Sequence, residues 1–340
     1  MIRVMIAGMG NMGISHALAC HESPDFRIVG LVNRSIPDLP DSLRDYPLSH
    51  DYAEALARLK PDLVVIATYS DSHADFAVAA MRAGAHVFVE KPLATNVADA
   101  RRVVDCAAAT GRKLVVGYIL RHHPGWQRLI AEARALGGPF VFRLNLNQQS
   151  SGPSWAVHKA LMRTTSPIVD CGVHYVDVMC QITDAAPVEV RGMGLRLSDE
   201  IAPDMYNYGH FQVLFADGSV GWYEAGWGPM MSDAAFFVKD VVSPNGAVSI
   251  RMPADARSDD IDTHTQTSTL RIHRVGREHE DLSMQGEPGH QELCDAELAF
   301  VARAIAGDLD LTRHMQDAVQ SLAVCLAADE SVRSGAPVKL

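Results

Sequence analysis

Cysteine is scarce in this chain, six in 340 residues, and no two cysteines stand in a C-x-x-C or other paired spacing. Cys20, Cys106, Cys171, Cys180, Cys294 and Cys325 therefore read as reduced thiols of an intracellular protein rather than a disulfide framework. Basic charge is also in deficit, 30 Lys and Arg against 41 Asp and Glu, a net charge of -11 with pI near 5.7. That balance argues against nucleic acid or an anionic membrane as the main partner. No apolar run approaches the ~18 residues a membrane span requires. The N-terminus, MIRVMIAGMG, enters a strand at once without a basic leader and a long apolar region. The expectation is a soluble, cytoplasmic protein with a small-molecule function. Internal repeats, low-complexity tracts and long linkers are missing as well.

What is present is ordinary globular composition, 48% hydrophobic and 21% charged, in a chain longer than one core comfortably serves. Two domains follow from the patterning. Over residues 1–120, short β-branched runs (IRVMIAG, RIVGLV, DLVVIAT, HVFVE, KLVVGY) alternate with amphipathic segments such as YAEALARL and VADARRVVDCAAAT. Strands of that kind separated by helices predict a doubly wound α/β domain with a parallel sheet covered on both faces. Over residues 121–340 the runs PFVFRLNLNQ, PVEVRGMGLRL, YGHFQVLFADGSVGWYEAGW, NGAVSIRM and TLRIHRV alternate as strands do, with ADGS a hairpin signal. A helix around 169–180 interrupts them, another precedes them near 126–135, and two more close the chain at 291–306 and 315–333. This half predicts an α+β domain with a mostly antiparallel sheet.

The first chemical motif is IAGMGNMG. Gly8, Gly10 and Gly13 have G-x-G-x-x-G spacing, closing a strand and opening a helix at Asn11 and Met12. The glycines permit a tight turn and close backbone approach, and the helix N-terminus suits a pyrophosphate. At the end of the second strand, where an NAD site usually carries Asp or Glu, this chain has Asn33, Arg34 and Ser35. An amide, a guanidinium and a hydroxyl donate to a 2′-phosphate that a carboxylate would repel. NADP is the expected cofactor, with NAD the second choice if Arg34 only stacks on adenine.

Loops at the carboxyl edge of such a sheet line the ligand crevice. Thr68, Tyr69, Ser70 and His73 follow one strand, and Glu90 and Lys91 follow the next, restrained by Pro92. Lys91 there would face the nicotinamide, and its proximity to the cationic ring would lower its pKa. The stretch SPIVDCGVHYVDVM places Asp170, His174 and Asp177 at i, i+4 and i+7, one stripe of a helix. A histidine in that stripe can take a hydroxyl proton as hydride leaves the same carbon. Asp170 would bond substrate or Lys91, and Asp177 would fix the imidazole tautomer. The same three residues also have metal-ligand chemistry, but without a fourth ligand no metal is expected.

Together these motifs resemble the glucose-fructose oxidoreductase / inositol dehydrogenase / MocA family. The likeness runs from IAGMGNMG through VEKPLATN, VGYILRHHP and DCGVHYVD to ESVRSGAPVKL, essentially the whole chain. It implies a Rossmann domain followed by an open-faced sheet that forms a homodimer or homotetramer interface. It also implies NAD(P)-dependent oxidation or reduction at a secondary hydroxyl of a sugar, inositol or related polyol. Carried over, Lys91 is the positioning and proton-sharing lysine, Asp170 and His174 are catalytic partners, and Arg121 contacts substrate. The chain departs from the family pattern at Thr68-Tyr69-Ser70 and at Thr164-Thr165-Ser166, which puts the substrate's identity in doubt. Trp155, His158, Lys159, Tyr206, Tyr208, His210, Trp222, Tyr223 and Trp227 are candidates for sugar contact, with core or interface packing favoured for those in GWYEAGW. Two other functions stay open: a glycosidase using bound NAD without net redox, and a non-catalytic sensor of dinucleotide and sugar.

Overall fold

A computed structural model describes residues 1–234 and 236–340, apart from the side chains of Ile261 and Asp262. The chain opens with β1 (Ile2–Ala7), α1 (Asn11–Glu22), β2 (Phe26–Val32), β3 (Leu48–Ser49), α2 (Tyr52–Leu59) and β4 (Leu63–Ile66). It continues through α3 (Ser70–Arg82), β5 (His86–Glu90), α4 (Val97–Thr110) and β6 (Leu114–Gly117). The six strands form one parallel sheet in the order β3-β2-β1-β4-β5-β6. Their near-continuous apolar runs are buried because helices cover both faces, as the β-branched pattern predicts. The order reverses between β2 and β4, on either side of β1, so the sheet's ligand crevice lies at the carboxyl ends of β1 and β4.

The helices have local reasons for their limits. Asp51 caps α2 by accepting from the Glu54 amide, and Asn96 caps α4 by accepting from the Asp99 amide. Gly111 ends α4 at φ 63°, a conformation that favours glycine.

After α5 (Pro124–Leu136) come β7 (Val141–Gln149), α6 (Gly152–Leu161), α7 (Pro167–Ile182), β8 (Pro187–Leu195), β9 (Tyr208–Phe215) and β10 (Val220–Gly228). Then follow β11 (Lys239–Ser243), β12 (Gly246–Arg251), α8 (Ile261–Thr265), β13 (Thr269–Arg274) and β14 (Glu280–Ser283). The chain closes with α9 (His290–Ala306), α10 (Thr312–Ser334) and β15 (Val338–Lys339). Nine strands make the second sheet, in the order β14-β13-β12-β11-β7-β10-β9-β8-β15. All its pairings are antiparallel except β7 with β10. The Asp217-Gly218 turn joins β9 to β10, with Gly218 at φ 84° and the Phe215 amide bonded to the Ser219 carbonyl.

One face of that sheet is covered and the other is open. Phe211, Val213, Tyr223 and Ala225 point to the covered face and are buried. Their alternates Leu214, Val220 and Val141, matched across β9, β10 and β7, stay exposed.

Two compact units result, and both are discontinuous in sequence. The first comprises Met1–Ile119 and Gly289–Val319, the second Leu120–Pro288 and Gln320–Leu340. Sequence patterning places a single boundary at 120, whereas α9 and the start of α10 pack with the first unit. Leu298, Val301, Ala302 and Ala304 of α9 share a core with Val4, Ile6, Ala17 and Phe88. Among the described residues no helix is long and apolar enough to cross a membrane.

Candidate functional site

In the first unit the glycine motif closes β1 and opens α1. Gly8 has φ +90°, and a Cβ there would lie 2.4 Å from the Ala67 carbonyl oxygen, so the loops after β1 and β4 touch only because the side chain is missing. Gly13 is tighter still: a Cβ would stand 1.7 Å from the Gly8 oxygen. Gly10 differs, because it is exposed and nothing lies within 4 Å of its added Cβ. It is the N-cap of α1 and supplies no side-chain cap, so the first amides of the helix, at Asn11, Met12 and Gly13, keep their polarity for an anion.

The end of β2 is tied to this loop. Asn33 accepts from the Met9 amide through Oδ1 at 3.0 Å and donates through Nδ2 to the Ser35 carbonyl at 2.9 Å. Its amide therefore stitches the glycine loop to the turn after β2. Arg34 is exposed there and makes no hydrogen bond or ion pair among the described residues, and Ser35 is exposed beside it.

Two further loops sit along the same sheet edge. Thr68 Oγ1 shares a hydrogen bond with Ser72 Oγ at 2.7 Å, and Tyr69, more than half exposed, precedes α3 without capping it. His73 is buried and joins the two loops: Nδ1 lies 2.8 Å from the Pro92 carbonyl oxygen and Nε2 3.0 Å from that of Thr68. Burial holds its pKa below the usual histidine value, so the neutral ring donates to one carbonyl at a time. His73 is thus a brace between loops. The peptide bond between Lys91 and Pro92 is cis. Lys91 is half-buried directly after β5, and its amide donates to Glu90 Oε2 at 3.1 Å. Glu90 Oε1 in turn meets His16 Nε2 at 2.7 Å in the core.

In the second unit the Asp170–His174–Asp177 stripe lies on α7 as its spacing predicts. Ser166 caps the helix by accepting from the Val169 amide at 3.1 Å, and Pro167 occupies the first turn. Ser166 also donates to Asp329 at 2.7 Å, and the Tyr206 hydroxyl donates to the same carboxylate oxygen. Burial pushes the Asp329 carboxyl above its ordinary value. The departure at Thr164-Thr165-Ser166 therefore does local work, since Ser166 is a helix cap anchored to α10. Asp170 is buried with the Cys171 thiol 3.8 Å from Oδ2, and His174 is half-buried. Asp177 accepts from Arg121 Nε at 2.8 Å and Nη2 at 2.6 Å, and from Gln181 Nε2 at 2.9 Å. Arg121 is thereby engaged within the protein, on the turn of helix next to His174.

The aromatic candidates fall into separate groups. Trp155 is buried on α6 and donates to Glu200 at 3.1 Å, and Lys159 bonds the same carboxylate. His158 stacks on Trp227 at 4.3 Å and shares a hydrogen bond with Ser150 at 2.9 Å. Tyr223 is buried on the covered face, 5.0 Å from Tyr175 of α7. Tyr208, His210 and Trp222 belong to the alternate register, on the open face away from α7.

Sequence reasoning passed over the Tyr206–Asp329–Ser166 network and the His16–Glu90 pair. Each joins residues far apart in sequence, 123 and 74 positions for Tyr206–Asp329 and His16–Glu90. The available signal at His16 was a polar residue on the inner face of α1 one turn past the glycine loop.

A glycine loop at a parallel-sheet switch point, joined in one chain to a sheet with one face bare, defines a two-unit Rossmann protein. The family model described as "Oxidoreductase family, NAD-binding Rossmann fold" matches residues 2–118, and the GFO/IDH/MocA C-terminal domain matches residues 127–236. The chain belongs to the GFO/IDH/MocA oxidoreductase family.

Curated relatives include a 4-carboxy-2-hydroxymuconate-6-semialdehyde dehydrogenase of Sphingobium, 32% identical over 46% of this chain and 54% of the relative. An inositol 2-dehydrogenase of Acidothermus cellulolyticus is 29% identical over 61% of this chain and 60% of the relative. This chain thus spans between half and two thirds of the length of these two relatives. Among solved structures, an oxidoreductase domain protein from Kribbella flavida superposes with a TM-score of 0.81 at 22% identity, covering 99% of this chain and 98% of that one. The aldose-aldose oxidoreductase of Caulobacter crescentus gives 0.78 at 22% identity, over 100% and 99%. At these identities the structural likeness establishes the fold.

Proposed function

We propose that this protein is an NAD(P)-dependent dehydrogenase or reductase that transfers a hydride between nicotinamide and a secondary hydroxyl or keto carbon of a sugar, inositol or related polyol. The observation that carries the reading is Lys91, placed directly after β5 at the sheet edge that also carries the glycine loop, with its amide held by Glu90. A dinucleotide would lie along that edge with its pyrophosphate on the α1 N-terminus, and it supplies the hydride acceptor. Gly8, Gly10, Asn11, Met12 and Gly13 would hold the phosphates, and Thr68, Tyr69, Ser70, His73 and Glu90 would shape the nicotinamide side. In the proposed roles Lys91 donates a hydrogen bond to the substrate oxygen and shares its proton, and His174 takes the hydroxyl proton. Asp170 orients substrate, and Arg121, clamped to Asp177, holds the helix turn beside His174.

NADP is the favoured cofactor, because exposed Arg34 replaces the carboxylate that would repel a 2′-phosphate. The bare face of the nine-stranded sheet, with Met193 and Leu195 each 55% exposed, supports a homodimer or homotetramer formed through that face. A soluble, cytoplasmic location fits this reading.

The test follows the absorbance of reduced nicotinamide, with NAD and NADP each offered inositols, aldoses, glycosides and sugar acids, and 3-keto sugars in reverse. Substrate-dependent reduction supports the dehydrogenase. Glycoside cleavage without net reduced cofactor would replace it with the glycosidase, and tight dinucleotide binding with no reaction on any compound would favour the sensor.

A further inference from the structure

The helix α9 carries metal-ligand chemistry on its inner side. His290, Cys294 and Glu297 stand at i, i+4 and i+7, one stripe of the helix. Cys294 and Glu297 are buried, and so is His16 of α1. A ring nitrogen of His16, the Cys294 sulfur and a Glu297 oxygen lie within 4.8 Å of one another. Glu297 is 1% exposed and His16 fully enclosed, yet both Glu297 oxygens and His16 Nδ1 have no hydrogen-bond partner among the described residues. Buried polar atoms are nearly always satisfied, and leaving them bare is costly. Three such atoms on two neighbouring side chains, with a thiol beside them, require a partner that all of them can share.

We propose that His16, Cys294 and Glu297 form a structural zinc site that pins α9 to α1 within the first unit. Imidazole nitrogen, thiolate sulfur and carboxylate oxygen are the three ligand types zinc takes, whereas magnesium and calcium take oxygen alone. Ligands of a tetrahedral zinc stand roughly 3.5 Å apart, so the cluster needs to close by little more than an ångström. The second layer is in place as well. His16 Nε2 donates to Glu90 Oε1 at 2.7 Å, which fixes the tautomer that leaves a lone pair on Nδ1 for the ion. One thiolate and one carboxylate balance the two charges of zinc, so the ion is neutralised where water does not reach. His290, one turn before Cys294, has Nε2 3.8 Å from the sulfur and takes the fourth position by a rotation of its half-buried side chain. The ion would tie together two helices from opposite ends of the chain, beside the core that Ala17 shares with Leu298 and Val301. Because every member of the cluster belongs to the first unit, the site needs neither dinucleotide nor substrate.

The test uses the full chain, untagged, made in zinc-supplemented medium and purified without a metal-affinity column. Elemental analysis after dialysis against EDTA is expected to find one zinc per chain in wild type and little in Cys294→Ser or Glu297→Gln, with Cys294→Ala serving if the serine variant folds poorly. Wild type refolded with zinc should melt several degrees above wild type refolded with EDTA, and Glu297→Gln should lose that difference. Refolding with cobalt(II) should give wild type a near-ultraviolet sulfur-to-metal band that Cys294→Ala lacks. Wild type that holds only trace zinc and melts alike with zinc or EDTA would overturn the proposal and make a buried water the shared partner. Stoichiometric zinc retained in both Cys294→Ala and Glu297→Gln would overturn it too, by placing the ion elsewhere. None of these readouts involves a substrate, so failure to find turnover would count against the proposed function alone.

Discussion

Arg121 meets Asp177 side-on, with Nε 2.8 Å from Oδ2 and Nη2 2.6 Å from Oδ1, and the carboxylate is 1% exposed. A guanidinium fork satisfies both oxygens of a buried carboxylate at once, which a lysine cannot do.

Breaking that pair leaves a buried group uncompensated. Asp177→Asn and Arg121→Lys are each expected to destabilise the protein, by about 3–5 kcal/mol when one partner is lost outright. Urea unfolding should show a lower midpoint with an unchanged slope. A midpoint equal to wild type would mean the clamp contributes nothing.

The three motif glycines should separate by role. Gly13→Ala forces a Cβ to 1.7 Å from the Gly8 oxygen and should lower the melting temperature or abolish folding. Gly10→Ala meets nothing within 4 Å, so its melting temperature should match wild type while dinucleotide affinity falls. Fluorescence titration with NADPH and a thermal melt on both variants decide the matter. Unchanged binding in Gly10→Ala would move the pyrophosphate elsewhere.

Arg34 should set the cofactor choice. Arg34→Asp is expected to weaken NADPH by the ~1.5–3 kcal/mol of a charge-assisted hydrogen bond, roughly tenfold to a hundredfold, and to leave NADH unaffected or improved. Equal affinities for the two cofactors in wild type would remove the argument for NADP.

A buried base should make stability depend on pH. Lys239 is 1% exposed, donates to the His264 carbonyl at 2.7 Å, and lies 4.7 Å from the Phe237 ring centroid. Burial lowers its pKa to about 7, and that of His264 to about 4. A base with a lowered folded pKa binds fewer protons folded than unfolded, so its contribution grows with pH between the two values. For Lys239 that window runs from about 7 to about 10.5, and for His264 from about 4 to about 6.5. Lys239→Met should be more stable than wild type at neutral pH. Its advantage should shrink by about 2 kcal/mol over the next one and a half pH units. Buried thiols such as Cys20 affect both proteins alike. A constant difference across that range would contradict the assignment.

The parallel sheet was legible because each β-branched run is itself a buried strand, and α7 was legible because Ser166 and Pro167 mark its start. The helix α6 has little local signal, since it begins Gly-Pro and carries no clear apolar stripe. The short β11 begins with Lys239 and Asp240, which look solvated until the fold buries them. The parallel pairing of β7 with β10 joins residues some 79 positions apart, such as Val141 with Val220, and no local pattern encodes it. The return of α9 to the first unit is equally non-local. The spacing of Asp170, His174 and Asp177 on α7 and the place of Lys91 directly after β5 were legible in the motifs. The engagement of Arg121 by Asp177, 56 positions away, and the brace His73 makes to the Pro92 carbonyl, 19 positions away, follow from tertiary folding that no local pattern encodes.

The measurement that bears most directly on the central claim is single-turnover hydride transfer in Lys91→Ala and His174→Ala, once a substrate is in hand, beside the dinucleotide dissociation constant of each. Turnover should fall by roughly 10²–10⁴ in His174→Ala, the worth of a positioned general base, and at least comparably in Lys91→Ala, with dinucleotide affinity retained. Near-wild-type turnover in either variant would contradict the roles assigned here.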